Sequence, residues 1–215
     1  MNAFLAILGR DLRLSLGSGG IGLPVVFFLL VATLYPFAVG PDGALLAKTG
    51  GGVLWVAALL AALLPVDRLI APDAEAGVLD QYAVRGVGEE MIAAAKITAH
   101  WIGFGPPLML AAIPASAMLR LDGKTLAALE LGLLAGTPGL AALGVMVASL
   151  TAGLRRGGAL AGLLMLPLAI PLIIFGAGSI GDFGGGALRF LAASSLFLVA
   201  VAPFAAGAGI RALRE

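Results

Sequence analysis

The residues able to do chemistry are few in this chain, and nine of its charged side chains fall between Asp67 and Lys96. Within that stretch, Asp67-Arg68-Leu69-Ile70-Ala71-Pro72-Asp73-Ala74-Glu75-Ala76-Gly77-Val78-Leu79-Asp80-Gln81-Tyr82 sets acidic groups ahead of apolar ones at helical intervals. Pro72 can start a helix, and Val78, Leu79 and Tyr82 share one face of it. Such a segment can insert its apolar side into a groove on a cytoplasmic partner while carboxylates pair with basic residues around the rim. The plainer reading is a solvated interfacial loop.

Other apparent motifs carry less. Gly17-Ser18-Gly19-Gly20-Ile21-Gly22 fits the dinucleotide pattern G-x-G-x-x-G, but it follows an amphipathic helix where the fingerprint needs a strand. Lys48-Thr49 resembles the end of a phosphate-binding loop, yet Asp42 and Ala47 stand where that loop needs glycine. The single histidine, His100, precedes Trp101 near the start of an apolar run. An imidazole beside an indole there suits an aromatic belt or a helix contact, with a haem or partner contact as the sharper alternative. Glu130 lies within an apolar run, so it is a candidate proton relay or, more simply, an interfacial anchor. The chain has no cysteine, no HExxH and no paired carboxylates within a span, so thiol chemistry and zincin-type hydrolysis have no residues to carry them.

The elements that position these residues follow from composition. Hydrophobic residues make up 60% of the chain and charged ones 12%, about half the share found in soluble domains. A helix needs about 20 apolar residues to cross the hydrocarbon core. Six runs reach that length: Ile21–Val39, Leu45–Val66, Ile97–Leu119, Leu126–Leu150, Ala159–Ala177 and Leu188–Ile210. Before them, Phe4, Leu5, Leu8, Leu12 and Leu16 fall on one side of a helix and Arg10 and Arg13 on the other, the pattern of a helix lying flat in the membrane interface.

Six crossings return both termini to one side. Arg10, Arg13, Arg68, Arg85, Lys96, Arg155, Arg156, Arg211 and Arg214 belong to that side, and Lys48, Arg120, Lys124 and Arg189 to the other. The excess of basic residues marks the cytoplasmic face, so the termini and the charged loop are expected there. The external connections are short and rich in turn formers: Gly40-Pro41-Asp42-Gly43, Asp122-Gly123 and Gly181 through Gly186. Gly132/Gly136 and Gly158/Gly162 supply small-xxx-small faces, for packing within the bundle or against a second copy. Prolines in or near the spans, from Pro106 to Pro203, free backbone groups and bend helices.

Glu75-Ala76-Gly77-Val78-Leu79-Asp80-Gln81, with Ala95-Lys96 and Ala99-His100-Trp101, resembles the Glu-Asp-Gly-x-Leu-Glu-Gln loop and Ala-His-Trp segment of the haem exporter protein B family. That family supplies the permease subunit of the cytochrome c maturation ABC transporter. The resemblance continues through Leu34-Tyr35-Pro36, Gly52 to Leu60, Asp67-Arg68, Gly136-Thr137-Pro138, Arg155-Arg156-Gly157-Gly158 and Leu166 to Pro171, covering about residues 4–210. The chain departs from the pattern at Ala76 and Asp80, and Arg85-Gly86-Val87-Gly88 replaces a Pro-Leu-Pro-like stretch.

The resemblance implies an all-α integral membrane protein of the ABC-2-like permease type, a single domain over residues 1–215. It comprises an interfacial helix at 1–19, six transmembrane helices and a cytoplasmic loop at 67–96 carrying a coupling segment. It implies a non-catalytic, multi-pass subunit of the bacterial inner membrane, with ATP hydrolysed on a separate subunit. The implied partners are that ATP-binding subunit, a second copy, haem-handling membrane subunits and the lipid bilayer, with no nucleic acid. Haem is a possible cargo, and no cofactor is assigned to the chain itself. Glu75, Gly77, Leu79, Asp80 and Gln81 are the expected coupling residues, with Arg155 and Arg156 as a second contact. Glu75 is expected to pair with the ATPase subunit, Leu79 to fill its groove and Gly77 to allow close backbone approach. A non-transporting scaffold and a stand-alone secondary carrier are the competing readings; the near absence of charge in the spans argues against ion coupling.

Overall fold

The computed structural model describes residues 2–17, 20–154, 157–181 and 185–214, and every described regular element is helical. Helix α1 (Ala3–Gly17) precedes α2 (Gly22–Val39) and α3 (Gly43–Leu63). A 3-10 turn at Val66–Arg68 leads into two short helices, α4 (Ala71–Glu75) and α5 (Val78–Val84). Four long helices complete the chain: α6 (Glu89–Met118), α7 (Gly123–Thr151), α8 (Gly157–Gly181) and α9 (Gly186–Ala212). Helices α2, α3 and α6 to α9 are long and apolar enough to span a membrane, matching the six expected runs.

Local chemistry sets the boundaries. Asp42 caps α3 by accepting from the amides of Ala44 (2.9 Å) and Leu45 (3.2 Å), and Asp122 caps α7 by accepting from Thr125 (2.8 Å). Those bonds from Thr125 hold the Asp122 carboxyl below the usual carboxylate range. Gly40, at φ +89°, ends α2 in a conformation that a side chain would resist. One boundary differs from the sequence expectation. Helix α6 begins at Glu89, eight residues before the apolar run, so Lys96 lies on a continuous helix and not at the end of a loop. Glu89 and Glu90 occupy the first turn of α6, where carboxylates are stabilised by the positive end of the helix dipole.

Helix α7 forms the centre, packed against α3, α6, α8 and α9. Close approach there depends on glycine. The indole of Trp55 from α3 is fully buried in a slot floored by Gly132 and Gly136 of α7 and Gly176 of α8. A Cβ at Gly136 or Gly176 would lie 2.7 or 2.5 Å from the ring. The Gly132/Gly136 face therefore serves packing within the chain, where dispersion replaces the hydrophobic effect as the cohesive term. Gly162 faces open space. The outer surfaces of α2, α8 and α9 carry exposed Phe37, Leu163, Leu196 and Phe204, the pattern expected where lipid is the solvent.

A candidate coupling elbow at the charged end of the bundle

Helix α1, the α4–α5 elbow and the C-terminal end of α9 meet at one end of the bundle, joined by two groups of ion pairs. The opposite end holds the 40–42 and 119–122 turns, where the Arg120 side chain lies beside Gly43.

The elbow owes its shape to two punctuation points. Pro72 occupies the first turn of α4, as its fixed φ allows, and Gly77 adopts φ +68° between α4 and α5. Nothing lies within 4 Å of a Cβ built at Gly77, so this glycine reverses the chain; it does not admit a neighbouring backbone within this protein. Gly86, at φ +70°, makes the second reversal between α5 and α6.

Glu75 and Gln81 are exposed on the elbow, and neither forms a side-chain hydrogen bond among the described residues. Asp80 is exposed as well, but its carboxylate accepts from Arg214 of the chain's own C-terminal end at 3.2 Å. Leu79 requires a correction. Its side chain is 2% exposed and belongs to the core, and Tyr82 packs against that core, so the shared apolar face of α5 turns into the bundle and not towards a partner's groove. The apolar side chain that α5 leaves outside is Val84, 90% exposed. Arg155 and Arg156, the expected second contact, lie outside the described residues.

Behind the exposed face stands a cluster that the amphipathic pattern of α1 did not reveal. Arg10 lies on the polar side of the expected interfacial helix, and its guanidinium reaches both oxygens of Asp73, at 2.5 and 3.0 Å. Lys96 of α6 donates to Asp73 at 2.6 Å and to Asp11 of α1 at 3.0 Å, and Arg10 also pairs with Asp11 at 2.9 Å. Lys96 is 4% exposed and Asp73 is buried. Two cations and two carboxylates from three elements thus neutralise one another, with Lys96 and Asp73 buried and Arg10 and Asp11 half-buried. Hydrogen bonding to Asp73 raises the proton affinity of Arg10 still further, leaving it permanently charged. Removing one member of such a buried set strands the others, at a cost of about 3–5 kcal/mol. Adjacent opposite charges at Arg10-Asp11, in a helix whose only other charge is Arg13, were the one sequence signal of this arrangement.

A cavity of about 310 Å³ opens beside the cluster, lined by Asp11, Ser15, Arg68, Lys96, His100 and Phe104 among others. The His100 ring packs on Phe104 with centroids 4.7 Å apart. Its Nε2 is buried, has no hydrogen-bond partner among the described residues and faces Gly144, whose Cβ position lies 3.2 Å away. Trp101 donates from Nε1 to Thr137 Oγ1 at 3.0 Å, joining α6 to α7. His100 and Trp101 are therefore both helix contacts in this conformation. Glu130 sits about two turns into α7 and lines an open groove with Pro106, Met109 and Leu110. Among the described residues, no three His, Cys, Asp or Glu side chains converge as a metal site would need.

Similarity to known proteins agrees with this architecture. The family model described as "CcmB protein" matches residues 2–213. Three proteins called "Heme exporter protein B" are similar along nearly their whole length. The one from Rhodobacter capsulatus is 46% identical, covering 96% of this chain and 97% of that protein. The one from Paracoccus denitrificans is 47% identical with the same coverage. The one from Escherichia coli K12 is 37% identical, covering 97% of each. With a bundle of six apolar helices and an elbow held at its charged end, this multi-pass membrane chain belongs to the CcmB protein family.

Proposed function

We propose that the chain is the membrane permease subunit of a haem-handling ABC transporter in cytochrome c maturation. It works in pairs in the inner membrane, and each elbow rests on a separate ATP-hydrolysing subunit. The observation that carries this reading is the α4–α5 elbow: a short projection with exposed Glu75, Gln81 and Val84, held to the bundle from behind by buried Leu79 and the Asp73–Lys96 pair. Full-length similarity to proteins called "Heme exporter protein B" supplies the cargo class.

The chain performs no bond chemistry in this scheme. Glu75 supplies a carboxylate for a basic group on the ATPase subunit, and a charge-assisted bond of that kind adds geometric specificity. Val84, and not Leu79, is the apolar side chain available to a partner's groove, while Leu79 fixes the elbow to the bundle. Asp80 contributes through Arg214, which links the elbow to α9. Arg155 and Arg156 add a weaker contact to the partner or to anionic lipid headgroups. Both termini lie on the cytoplasmic side with the elbow, following the distribution of basic residues. ATP-driven motion at the elbow is linked to release of a haem-loaded chaperone by neighbouring membrane subunits.

The direct test is co-purification of the ATPase subunit. Glu75→Lys with Val84→Asp reverses one contact and charges the other, and both positions are exposed, so the fold is retained. Loss of the ATPase subunit supports the reading; undiminished co-purification contradicts it.

A further inference from the structure

We infer that Asp73 is the internal anchor of the elbow, an ionic strut through which movement of α4 is passed to α1 and to the transmembrane helix α6. This rests on the coupling role proposed above and assigns positioning roles to Arg10, Asp11, Asp73 and Lys96 that docking alone does not require.

The geometry has three parts. Asp73 belongs to the same short helix as Glu75, yet the two side chains have opposite fates: Glu75 is exposed and Asp73 buried. Asp73 serves both elements at once: Oδ1 accepts from Arg10 Nη2 of α1, and Oδ2 accepts from Arg10 Nη1 and from Lys96 Nζ of α6. Lys96 in turn holds Asp11, so α1 and α6 are tied to each other as well as to the elbow.

Helix α4 is five residues long and makes its other neighbouring contacts with α5 and the 3-10 turn, both parts of the same elbow. A displacement imposed on Glu75 therefore reaches the bundle through the adjoining backbone, through the packing of Ala74, Leu79 and Tyr82, through the exposed Asp80–Arg214 pair and through Asp73. Leu79 resists by packing, which is non-directional. Asp73 resists through short, charge-assisted bonds whose geometry is specific, and these cannot be lengthened in a water-poor site without stranding a charge. The lone pairs of one carboxylate thus make the elbow, the interfacial helix and the start of a span move together.

Lys96 stands seven residues, about two turns, inside α6, and His100 follows one turn later at the wall of the adjoining cavity. A pull on Lys96 along or around the α6 axis therefore alters that wall directly. The strut leads from the partner-facing surface to the cavity that Asp11, Lys96 and His100 line.

The test compares Asp73→Asn, Lys96→Met and the conservative Lys96→Arg in the complete membrane complex, at matched abundance of the chain. Co-purified ATPase subunit, ATP hydrolysis and release of haem-loaded chaperone are measured side by side. The expected result for Asp73→Asn and Lys96→Met is undiminished ATPase-subunit retention and ATP hydrolysis, with chaperone release per ATP reduced about tenfold. Lys96→Arg is expected to restore most of that release. Arg10→Gln removes a partner from the same carboxylate at a partly exposed position; it reports the strut if the buried substitutions prevent membrane insertion, with the same split expected. Loss of the ATPase subunit in Arg10→Gln or Asp73→Asn, as for a docking residue, overturns the inference, and so does unchanged release per ATP. Failure of the docking proposal is separate: it appears as retention of the ATPase subunit in Glu75→Lys with Val84→Asp.

Discussion

Two ion-pair clusters hold the charged end of the bundle together, and they differ in their exposure to water. The Arg10–Asp11–Asp73–Lys96 cluster is enclosed, with Lys96 only 4% exposed. The second cluster joins α9 to the start of α6 and to the elbow: Arg211 meets Glu89 and Glu90 at 3.4 and 3.2 Å, while Arg214 meets Glu89 at 2.7 Å and Asp80 at 3.2 Å. Arg211 and Asp80 are largely exposed, so water and salt compete for these pairs. Similar residue types at the same end of the molecule therefore serve different ends. The enclosed set fixes which elements touch, and the exposed set adjusts how firmly the C-terminal helix rests on them.

The largest expected difference follows from breaking the enclosed set. Lys96→Met leaves two carboxylates, Asp73 and Asp11, to share the single half-buried Arg10, and it is expected to lower stability by about 3 kcal/mol, measured as loss of thermal stability in detergent. The quadruple replacement Arg10→Met, Asp11→Leu, Asp73→Leu, Lys96→Met removes all four charges together, and it is expected to recover much of that loss. A quadruple variant no more stable than Lys96→Met would mean that the cluster is not the source of the cost.

A smaller effect is expected at the bundle centre, which serves as the uncharged reference. Gly176→Ala sets a methyl group 2.5 Å from the Trp55 ring, and shifting a well-packed neighbour costs about 1–3 kcal/mol. Its measured loss is expected to be independent of salt. The smallest effect is expected for Arg211→Ala with Arg214→Ala, about 1 kcal/mol or less in low salt and vanishing in high salt. A salt-independent loss there would erase the contrast between the clusters. His100→Ala is expected to leave haem titration spectra of the isolated chain unchanged, since Nε2 is enclosed against Gly144.

The spans were readable from sequence because apolar runs of about 20 residues have few alternatives in a bilayer. The turn formers at Gly40-Pro41-Asp42-Gly43 and Asp122-Gly123 and the helix start at Pro72 were equally local signals, although the capping bonds of Asp42 and Asp122 were not read from them. The inward turn of Arg10 was not readable. Its partner lies 63 residues away, and a helical wheel shows only that charge and hydrocarbon occupy different faces, not which face is enclosed. Leu79 illustrates the same limit, because an apolar stripe on a short helix fits a partner's groove and the chain's own core alike. Helix α6 began earlier than its hydropathy suggested because Glu89, Glu90 and Lys96 look like loop residues until their partners on α9, α1 and α4 are known. The Trp55 slot had its glycines visible at helical spacing, but the indole that fills it comes from a different helix.

The central claim is that the elbow faces an ATPase subunit on the cytoplasmic side, and the absence of native cysteine makes it directly measurable. A single cysteine introduced by Glu75→Cys can be labelled with a membrane-impermeant maleimide in sealed inside-out vesicles, with and without the ATPase subunit. The account predicts rapid labelling in the chain alone and strong protection when the subunit is present. Labelling confined to right-side-out vesicles, or labelling that the subunit leaves unchanged, would contradict it.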